Sequence, residues 1–278
     1  MSDSLTTSER TMTQLKADCE SCFGLCCVAL PYVKGADFAF DKTGGSPCRN
    51  LQSDYRCSIH TKLRESGFRG CAVYECFGAG QKVSQSTYGG SDWRSRPETA
   101  QEMFAVFPVM QQLHEMLYYL HEAMHLEAAK PILKDLQVAY NKTESLTELN
   151  PSRILSLNVP DHRVLVNDLL LRTSELARAE TPVKNSRMGR GSDLIGAKLK
   201  GADLRGANFR GALLIAADLR GADMRVCDFI GADLRDADLS GAKLTGSIFL
   251  TQAQINSAKG DRNTKLPAGL RIPDHWKK

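Results

Sequence analysis

Eight of the nine cysteines in this 278-residue chain lie in one segment near its N-terminus. They are Cys19, Cys22, Cys26, Cys27, Cys48, Cys57, Cys71 and Cys76. Thiolates a few residues apart can bind one ion from a single turn, and cysteines far apart in sequence can close such a site in space. The spacing therefore predicts a metal centre with these eight residues as ligands, holding either zinc or an iron–sulfur cluster.

The adjacent pair Cys26 and Cys27 bears on the number of sites. Neighbouring side chains diverge, so these two thiols are not expected to serve one tetrahedral ion together. Two sites, or a multinuclear cluster, therefore fit the segment better than a single ion. His60 follows Cys57 closely and could be a ligand, but a centre with eight thiols does not require it.

A second pattern with known chemistry is the stretch from His121 to His125, which matches HExxH. In that motif two histidines one helical turn apart bind zinc, and the glutamate, here Glu122, activates water. Such a short motif arises easily by chance in an amphipathic helix, and no third ligand is recognisable downstream. We therefore expect an ordinary helix whose apolar stripe is core and whose histidines lie at its margin, with a zinc hydrolase as the alternative.

Residues 92–180 are expected to form a small α-helical bundle that carries this motif. Ser95 to Glu98 combines a capping box with a proline in the first turn, and Pro108 should kink the helix that follows. The buried stripe of this first helix is expected to comprise Met103, Phe107, Met110, Leu113, Leu117 and Leu120.

Two further helices are expected in the bundle. The second should end near Leu149, and the third should run from Asp161 to Ala179. The apolar side of the third helix is expected to comprise Val164, Leu165, Leu169 and Leu176.

From Ser192 to Thr251 the sequence repeats every five residues, through twelve pentads without a slip. Neither a helix nor a strand has a period of five, so the pattern predicts a repeat architecture. The central phenylalanines Phe209, Phe229 and Phe249 are 20 residues apart. If four pentads close one turn, these three rings stack in one ladder and the other central residues form three more.

The pentads, such as ADLRG at Ala202 to Gly206, resemble the A(D/N)LxG motif of the pentapeptide-repeat family. The resemblance implies a short right-handed quadrilateral pentapeptide-repeat β-solenoid over residues 192–251. Cys227 occupies an inward alanine position and is expected to be filler. Because the end of a solenoid exposes unpaired edges, residues 252–278 are expected to form a C-terminal cap.

The cysteine segment reads CxxC, CC, PCxNL, CxIH and GCxVYxC, and it resembles bacterial cysteine-rich proteins assigned as zinc or iron chelators. The resemblance covers Asp18 to Phe77 and implies a metal-binding module over residues 18–85. Three residues rather than two separate Cys22 from Cys26, and GFRG replaces an Arg-Pro step, so the identity of the metal stays open.

Over nearly its whole length the chain resembles bacterial pentapeptide-repeat proteins, some of which are labelled oxetanocin A resistance proteins. That label implies protection against a nucleoside antibiotic, and resistance by target protection is one version of the binding role expected here. Some acidic members of the family mimic duplex DNA and occupy the DNA site of topoisomerases. Residues 192–251 contain eight Asp and eight Lys or Arg. A duplex of the same length, about 15 Å, carries about nine negative charges, so the neutral repeat disfavours DNA mimicry.

The bulk composition is that of an ordinary globular protein, with 42% hydrophobic and 24% charged residues and a formal charge of +4. No stretch approaches the roughly 18 apolar residues of a membrane span. Residues 1–17 form a polar tail without the apolar core of a secretory signal. We therefore expect a cytoplasmic protein without a membrane segment, in which clustered cysteines bind metal more often than they form disulfides.

These observations predict a multidomain protein: a cysteine-rich metal-binding module, a small α-helical bundle, a linker at residues 181–191, the β-solenoid and its cap. A repeat with no catalytic constellation favours a non-enzymatic, metal-containing binding protein with a protein partner. Homodimerisation through the cap is left open. The alternative is a metalloenzyme whose iron–sulfur or zinc site acts on a small molecule, such as a nucleoside.

Overall fold

A computed structural model describes residues 12–181 and 188–277. The chain divides into two compact units, the first formed by Met1–His125 with Lys130–Leu170 and the second by Leu126–Ala129 with Leu171–Lys278. The predicted cysteine-rich module falls within the first unit. Most of the predicted polar tail, and residues 182–187 of the predicted linker, lie outside the described residues.

Helices provide the regular structure between residues 19 and 178. In chain order they are a 3-10 turn at Cys19–Ser21, α1 at Leu25–Ala29, a 3-10 turn at His60–Lys62, α2 at Arg69–Val73, α3 at Ala79–Gln81 continuing as a π-helical turn at Lys82–Thr87, α4 at Pro97–Met124, a 3-10 turn at Glu127–Ile132, α5 at Leu133–Thr147, α6 at Pro151–Leu155 and α7 at Val159–Arg178. None of the helices in the described ranges is long and apolar enough to cross a membrane.

Helix α4 is the centre of the first unit. It packs against α1, α3, α5 and α6. Every residue of its predicted apolar stripe, from Met103 to Leu120, is buried, which confirms that prediction. The helix continues through Pro108 for 28 residues in all. Because α1 and α3 flank the cysteines, α4 is the support against which the cysteine segment is built.

Two local predictions for the helices are wrong. The first helix begins at Pro97 with Arg96 as its N-cap and no capping side chain, because the hydroxyl of Ser95 donates instead to the Asp92 carboxylate at 2.8 Å. On α7, Val164 and Leu165 are exposed. The buried residues of that helix are Val159, Val166, Leu170, Thr173 and Ser174, which lie on one side at helical spacing.

The prediction of a β-solenoid is wrong for the fold class. No strand forms anywhere in the described parts of the chain, and residues 192–251 instead form a coil of turns joined by isolated parallel bridges. Each pentad contributes one bridging residue and then turns, so a ladder never extends over consecutive residues. The bridges join residues 20 apart, such as Asp203 with Asp223 and Asp223 with Lys243, which confirms the predicted period.

The interior of this repeat coil is packed by the central residues of the pentads. Phe209, Phe229 and Phe249 are fully buried. The rings of Phe209 and Phe229 are stacked with their centroids 5.5 Å apart. Cys227 is also fully buried, and its thiol donates to the carbonyl of Leu204 at 3.1 Å, which supports its prediction as filler.

The fifth residue has a left-handed backbone in every pentad before the last one. Glycine occupies this position in most pentads, as at Gly221, where φ is +64°. Ala216, Val226 and Asp236 occupy it in three pentads and adopt φ values of 54°, 60° and 59°. A side chain with a Cβ, and above all a β-branched one, is strained in this region. The repeat geometry therefore imposes its backbone even where the residue type opposes it.

Residues after Thr251 close the coil. Thr251 and Gln254 form a capping box at the start of α8, Gln252–Ser257. Lys259 and Lys265 then continue the parallel bridges onto Asp238 and Lys243. The chain ends in a 3-10 turn at Asp274–Trp276, where the buried Trp276 donates its indole N–H to the carbonyl of Ala258 at 3.0 Å.

The left-handed position can be tested with a pair of opposite substitutions. Nothing lies within 4 Å of a Cβ placed at Gly221, so Gly221→Val introduces backbone strain without a clash. We expect it to lower the free energy of unfolding by about 1–2 kcal/mol. Val226→Gly relieves the same strain, so it should not lower stability even though glycine is freer in the unfolded chain. Urea unfolding measures the free energy of unfolding of both variants. Equal losses of stability would contradict the conclusion that the left-handed backbone is strained at this position.

Burial of His114 predicts a loss of stability in acid. Its Nδ1 donates to the carbonyl of Phe77 at 2.8 Å, and burial lowers the pKa of the imidazole from 6.5 to about 4. The unfolded chain therefore takes up this proton more readily, and stability is lost as the pH falls from about 6.5 to about 4, on the order of 3 kcal/mol in all. His114→Gln removes this titration. The stability advantage of the original chain over the variant should shrink between pH 7 and pH 4, and a constant difference would rule this out.

Candidate metal centre

Short turns and two isolated antiparallel bridges position the cysteines. Cys19 begins the first 3-10 turn, which the carboxylate of Asp18 caps by accepting from the amide of Glu20 at 2.9 Å. Cys26 and Cys27 lie in α1. Later in the segment, bridges join Tyr32 with Lys42 and Leu51 with Cys57. All nine cysteines of the chain are free thiols.

Backbone amides point at several of the sulfur atoms. In four cases the donor is the amide two residues further along the chain: Gly24 to Cys22, Asn50 to Cys48, Ile59 to Cys57 and Gly78 to Cys76. Leu25 also donates to Cys22, and Gly80 to Cys76. Hydrogen bonds of this kind stabilise thiolate over thiol. Burial raises the pKa of Cys22, Cys57 and Cys76, and the amides oppose that shift.

The first group of sulfurs gathers around Gly80 in α3. A Cβ placed at Gly80 would lie 2.7 Å from Cys22 Sγ and 3.9 Å from Cys76 Sγ, so only glycine leaves these thiols room. Burial, followed by the charge of Cys22 among others, raises the pKa of Cys19, and burial raises that of Cys76 to about 11. We call Cys19, Cys22, Cys26 and Cys76 the Gly80 set.

The second group gathers around Tyr32. Its hydroxyl donates to Cys48 Sγ at 3.2 Å, and the amide of Cys48 donates to the carbonyl of Cys27 at 2.9 Å. Burial, then the charges of Cys27, Cys48 and Cys57, raises the pKa of Cys71 to about 12. We call Cys27, Cys48, Cys57 and Cys71 the Tyr32 set.

The two sets meet at the adjacent pair Cys26 and Cys27. A hydrogen bond between their thiols raises the pKa of Cys26 and lowers that of Cys27. The sequence predicts that neighbouring side chains such as these diverge, and the two thiols nevertheless influence each other's pKa. The short helix α1 therefore places one sulfur of each set at a common boundary.

Lys42 is a buried cation beside the Tyr32 set. Its ammonium donates to the carbonyls of Val28, Thr43 and Ser46 at 3.0, 3.1 and 3.0 Å. Burial lowers its pKa, while the charges of neighbouring cysteines, Cys48 foremost, oppose that shift. All three of its donors are thus used by the backbone, and the position of the charge is fixed.

Aromatic packing fixes the distance between Tyr32 and α2, which carries Cys71. The rings of Tyr32 and Phe38 are stacked 4.4 Å apart, and Phe38 lies directly over Gly70. A Cβ at Gly70 would lie 2.2 Å from the Phe38 ring. Sequence reasoning missed Lys42, Tyr32 and the two glycines. Their signal is weak, since a glycine next to a cysteine and a lysine between aromatics are common in loops.

The described residues do not yet form a finished metal site. Among them, no three Cys, His, Asp or Glu side chains are arranged so that they could hold an ion together. The side chains of the HExxH stretch are likewise not arranged to hold an ion. His125 lies just beyond α4 as its C-cap. The imidazole of His125 stacks on that of His121 at 4.3 Å, and its Nδ1 donates to the carbonyl of His121 at 2.7 Å. His121 is buried rather than marginal, and the geometry does not favour a zinc hydrolase.

The family profile that matches this chain covers the repeat and not the cysteine segment. The profile of the family described as pentapeptide repeats matches residues 192–227 and 212–249, with eight copies. A Bacillus subtilis (strain 168) protein, "Uncharacterized protein YybG", is 67% identical over 279 residues, which cover 100% of both chains. The matched profile leaves the cysteine segment outside, so its resemblance to zinc or iron chelators stays a prediction.

Two solved structures are similar to part of this chain. A pentapeptide repeat protein from the Arabidopsis thaliana thylakoid lumen is 28% identical and covers 31% of this chain and 68% of its own, with a TM-score of 0.22. A pentapeptide repeat protein from Nostoc PCC 7120 is 33% identical and covers 35% of this chain and 84% of its own, with a TM-score of 0.17.

Gly70 offers a test of the packing around the second group. Alanine is a better helix former than glycine by about 1 kcal/mol, so Gly70→Ala would stabilise α2 if space allowed. The Phe38 ring occupies that space, and overpacking should instead cost about 1–3 kcal/mol. Gly35→Ala is the control, because nothing lies within 4 Å of a Cβ there. Thermal unfolding should show lower stability for Gly70→Ala and unchanged stability for Gly35→Ala. Higher stability for Gly70→Ala would contradict the packing of Phe38 over Gly70.

Proposed function

Because this chain belongs to the pentapeptide-repeat family, we propose that it is a non-enzymatic metal-binding protein whose repeat coil presents a contact surface for a protein partner. The cysteines would bind zinc or an iron–sulfur cluster. Protection of a target from an antibiotic is one form that such a partnership could take. The grouping of eight cysteines within residues 19–76, with backbone amides directed at four of their sulfurs, is the observation that carries the metal-binding part.

The donor chemistry fits a thiophilic metal. Thiolates are the preferred ligands of zinc and of iron–sulfur clusters, and amide hydrogen bonds to sulfur recur around such centres because they offset the ligands' negative charge. In this chain the amides of Gly24, Asn50, Ile59 and Gly78 are already directed at sulfur. Amides also donate to Cys227, which is buried in the coil, so the clustering of eight cysteines in one segment, and not the donors alone, supports metal binding.

Protons and metal compete for these sulfurs. Burial raises the pKa of Cys71 to about 12 and that of Cys76 to about 11, so without metal both stay protonated at neutral pH. Binding a cation displaces these protons, and affinity should rise with pH. When bound, zinc would supply a rigid cross-link between distant parts of the segment, and an iron–sulfur cluster would in addition hold an electron.

The coil surface is suited to contact rather than to electrostatic steering. Four arginines each bind the aspartate two residues earlier through two nitrogens: Arg205 with Asp203, Arg220 with Asp218, Arg225 with Asp223 and Arg235 with Asp233. These exposed pairs neutralise one another and add little stability. A partner would therefore recognise the shape and hydrogen-bonding pattern of the coil, not a net charge.

Metal analysis of anaerobically purified protein tests the proposal. Colourless protein with about two zinc ions per chain is expected for structural zinc, since each such site takes four ligands. Broad visible absorption with bound iron and sulfide is expected for an iron–sulfur centre. Cys22→Ser and Cys48→Ser should lower the metal content, whereas Cys227→Ser, buried in the coil, should not. A chain that holds no metal under these conditions refutes the metal-binding role.

A further inference from the structure

The outward side chains of the repeat coil differ from one side of the coil to the next. Residues 20 apart stack on the same side, and the second and fourth residues of each pentad point outward. Two sides carry aspartates paired with arginines at these positions, as at Asp218 and Arg220. We call the side formed by the first, fifth and ninth pentads the first side. In its first two turns, three of the four outward residues are apolar: Ile195, Leu213 and Ile215.

These three residues form an open apolar patch. Ile195 is 53% exposed and Leu213 is 39% exposed. The neighbouring side also has apolar outward residues, but there Ile248 and Leu250 are buried. The chain therefore covers these apolar residues on the neighbouring side and leaves the patch on the first side exposed. Contiguous apolar surface of this kind marks sites of interaction more often than single exposed residues do.

The first turn of the coil also has an unused backbone edge on this side. In every later turn the second residue of the pentad donates its amide to the turn before it, as Leu213 does to the carbonyl of Ser192 at 2.9 Å. Asp193 and Lys198 hold the same position in the first turn, and neither amide has a partner among the described residues. An unpaired edge of this kind is a template for a further strand.

The opening in the first turn is confined to this side. Three of its four central residues are buried: Leu199, Leu204 and Phe209. The fourth, Leu194 on the first side, is only half-buried. At Gly206 the chain lies directly over the turn, since a Cβ there would be 2.9 Å from the carbonyl oxygen of Thr181. The open edge is therefore one pentad long, about 17 Å when extended.

The size of this opening decides what can occupy it. A stable dimer buries about 800 Å² and about 20–30 residues on each partner, which one pentad with three exposed apolar side chains does not provide. One extended segment does fit. Its backbone can accept from the amide of Asp193, and its alternate side chains then lie over Leu194 on the inner side and beside Ile195 on the outer side.

We propose that the first side of the coil binds an extended segment of a partner protein, whose backbone pairs with the edge at Asp193 and whose alternating apolar side chains cover Leu194 and Ile195. The inference rests on the proposed contact role of the coil, and it adds the position of the contact and the class of partner. The bound segment continues the parallel bridges of the coil by one further strand.

Peptides selected on the full-length chain from a phage-displayed library of random twelve-residue sequences test this site. We expect the selected peptides to carry alternating apolar residues. Ile195→Arg should weaken their binding at least tenfold, measured by fluorescence anisotropy, because a charged side chain replaces the apolar contact. The variant should fold, since Asp193 already accepts from the amide of residue 195 at 3.1 Å, as Asp218 does from the amide of Arg220.

Ser240→Arg is the matched control. It places the same residue at the same position of a pentad in the third turn, where Asp238 lies two residues earlier and already accepts from the amide of Ser240 at 3.0 Å. Binding of the selected peptides should be unchanged in this variant. An equal loss in both variants would contradict a contact on the first side.

Hydrogen exchange locates the contact in the original chain without any substitution. The amide of Asp193 should exchange rapidly in the free chain, and a bound peptide should slow its exchange at least tenfold. Slow exchange in the free chain would overturn the proposal, because the edge would then already be occupied. Exchange that the bound peptide does not change would overturn it as well.

The remaining outcomes separate this proposal from the broader ones. Selected peptides whose binding Ile195→Arg leaves unchanged overturn the first side as the site but keep the chain as a binding protein. Failure to select any peptide overturns the inference, while the metal content, which is measured separately, still decides the metal-binding role. A dimer in solution that Ile195→Arg dissociates overturns the peptide in favour of a second copy of the chain.

Discussion

The cysteine segment depends on a simple constraint, which is that sulfur must be buried close to backbone amides in a stretch with almost no regular structure. Helix α1 is five residues long, and the only pairings from residue 32 to 57 are isolated bridges. Such a segment cannot pair all of its backbone amides within helices or sheets, so some of these amides donate hydrogen bonds to sulfur instead. Gly24 and Gly78 both have a left-handed backbone, and each directs its amide to the cysteine two positions earlier.

The repeat coil differs from the cysteine segment, because its strict five-residue period gives the backbone regular partners in parallel bridges. Each pentad spends one residue on a parallel bridge and one on a left-handed turn, so hydrogen bonding and direction change alternate along the chain. The backbone strain of the left-handed turn falls on the fifth residue. Val226 adopts this backbone even though its side chain is β-branched. Interior packing by Phe209 and Phe229 offsets that strain with buried apolar area.

The sequence predicts the period and the core stripe of α4 well because both are periodic, and each repeat of a pattern adds independent support. It fails where a single competing interaction decides. Ser95 resembles an N-cap until Asp92 takes its hydroxyl. Val164 and Leu165 resemble a core face until the helix turns Val166 and Leu170 inward. The missing strands have a similar cause, because the pentad period fixes which residues pair but not whether pairing extends beyond one residue.

The eight cysteines can be found by spacing, but their grouping cannot, because it depends on contacts between parts of the chain that are far apart. The electrostatic surroundings then distinguish the two sets. Lys42, fixed by three carbonyls, lies beside the Tyr32 set and favours thiolate there. Near the Gly80 set, burial raises the pKa of Glu75, and burial, with a smaller effect from the charge of that carboxylate, raises the pKa of Cys76. Burial raises the pKa of Cys71 in the Tyr32 set as well as that of Cys76 in the Gly80 set, so a cation must displace protons from either set. The positive charge of Lys42 acts mainly on the Tyr32 set, with Cys48 foremost.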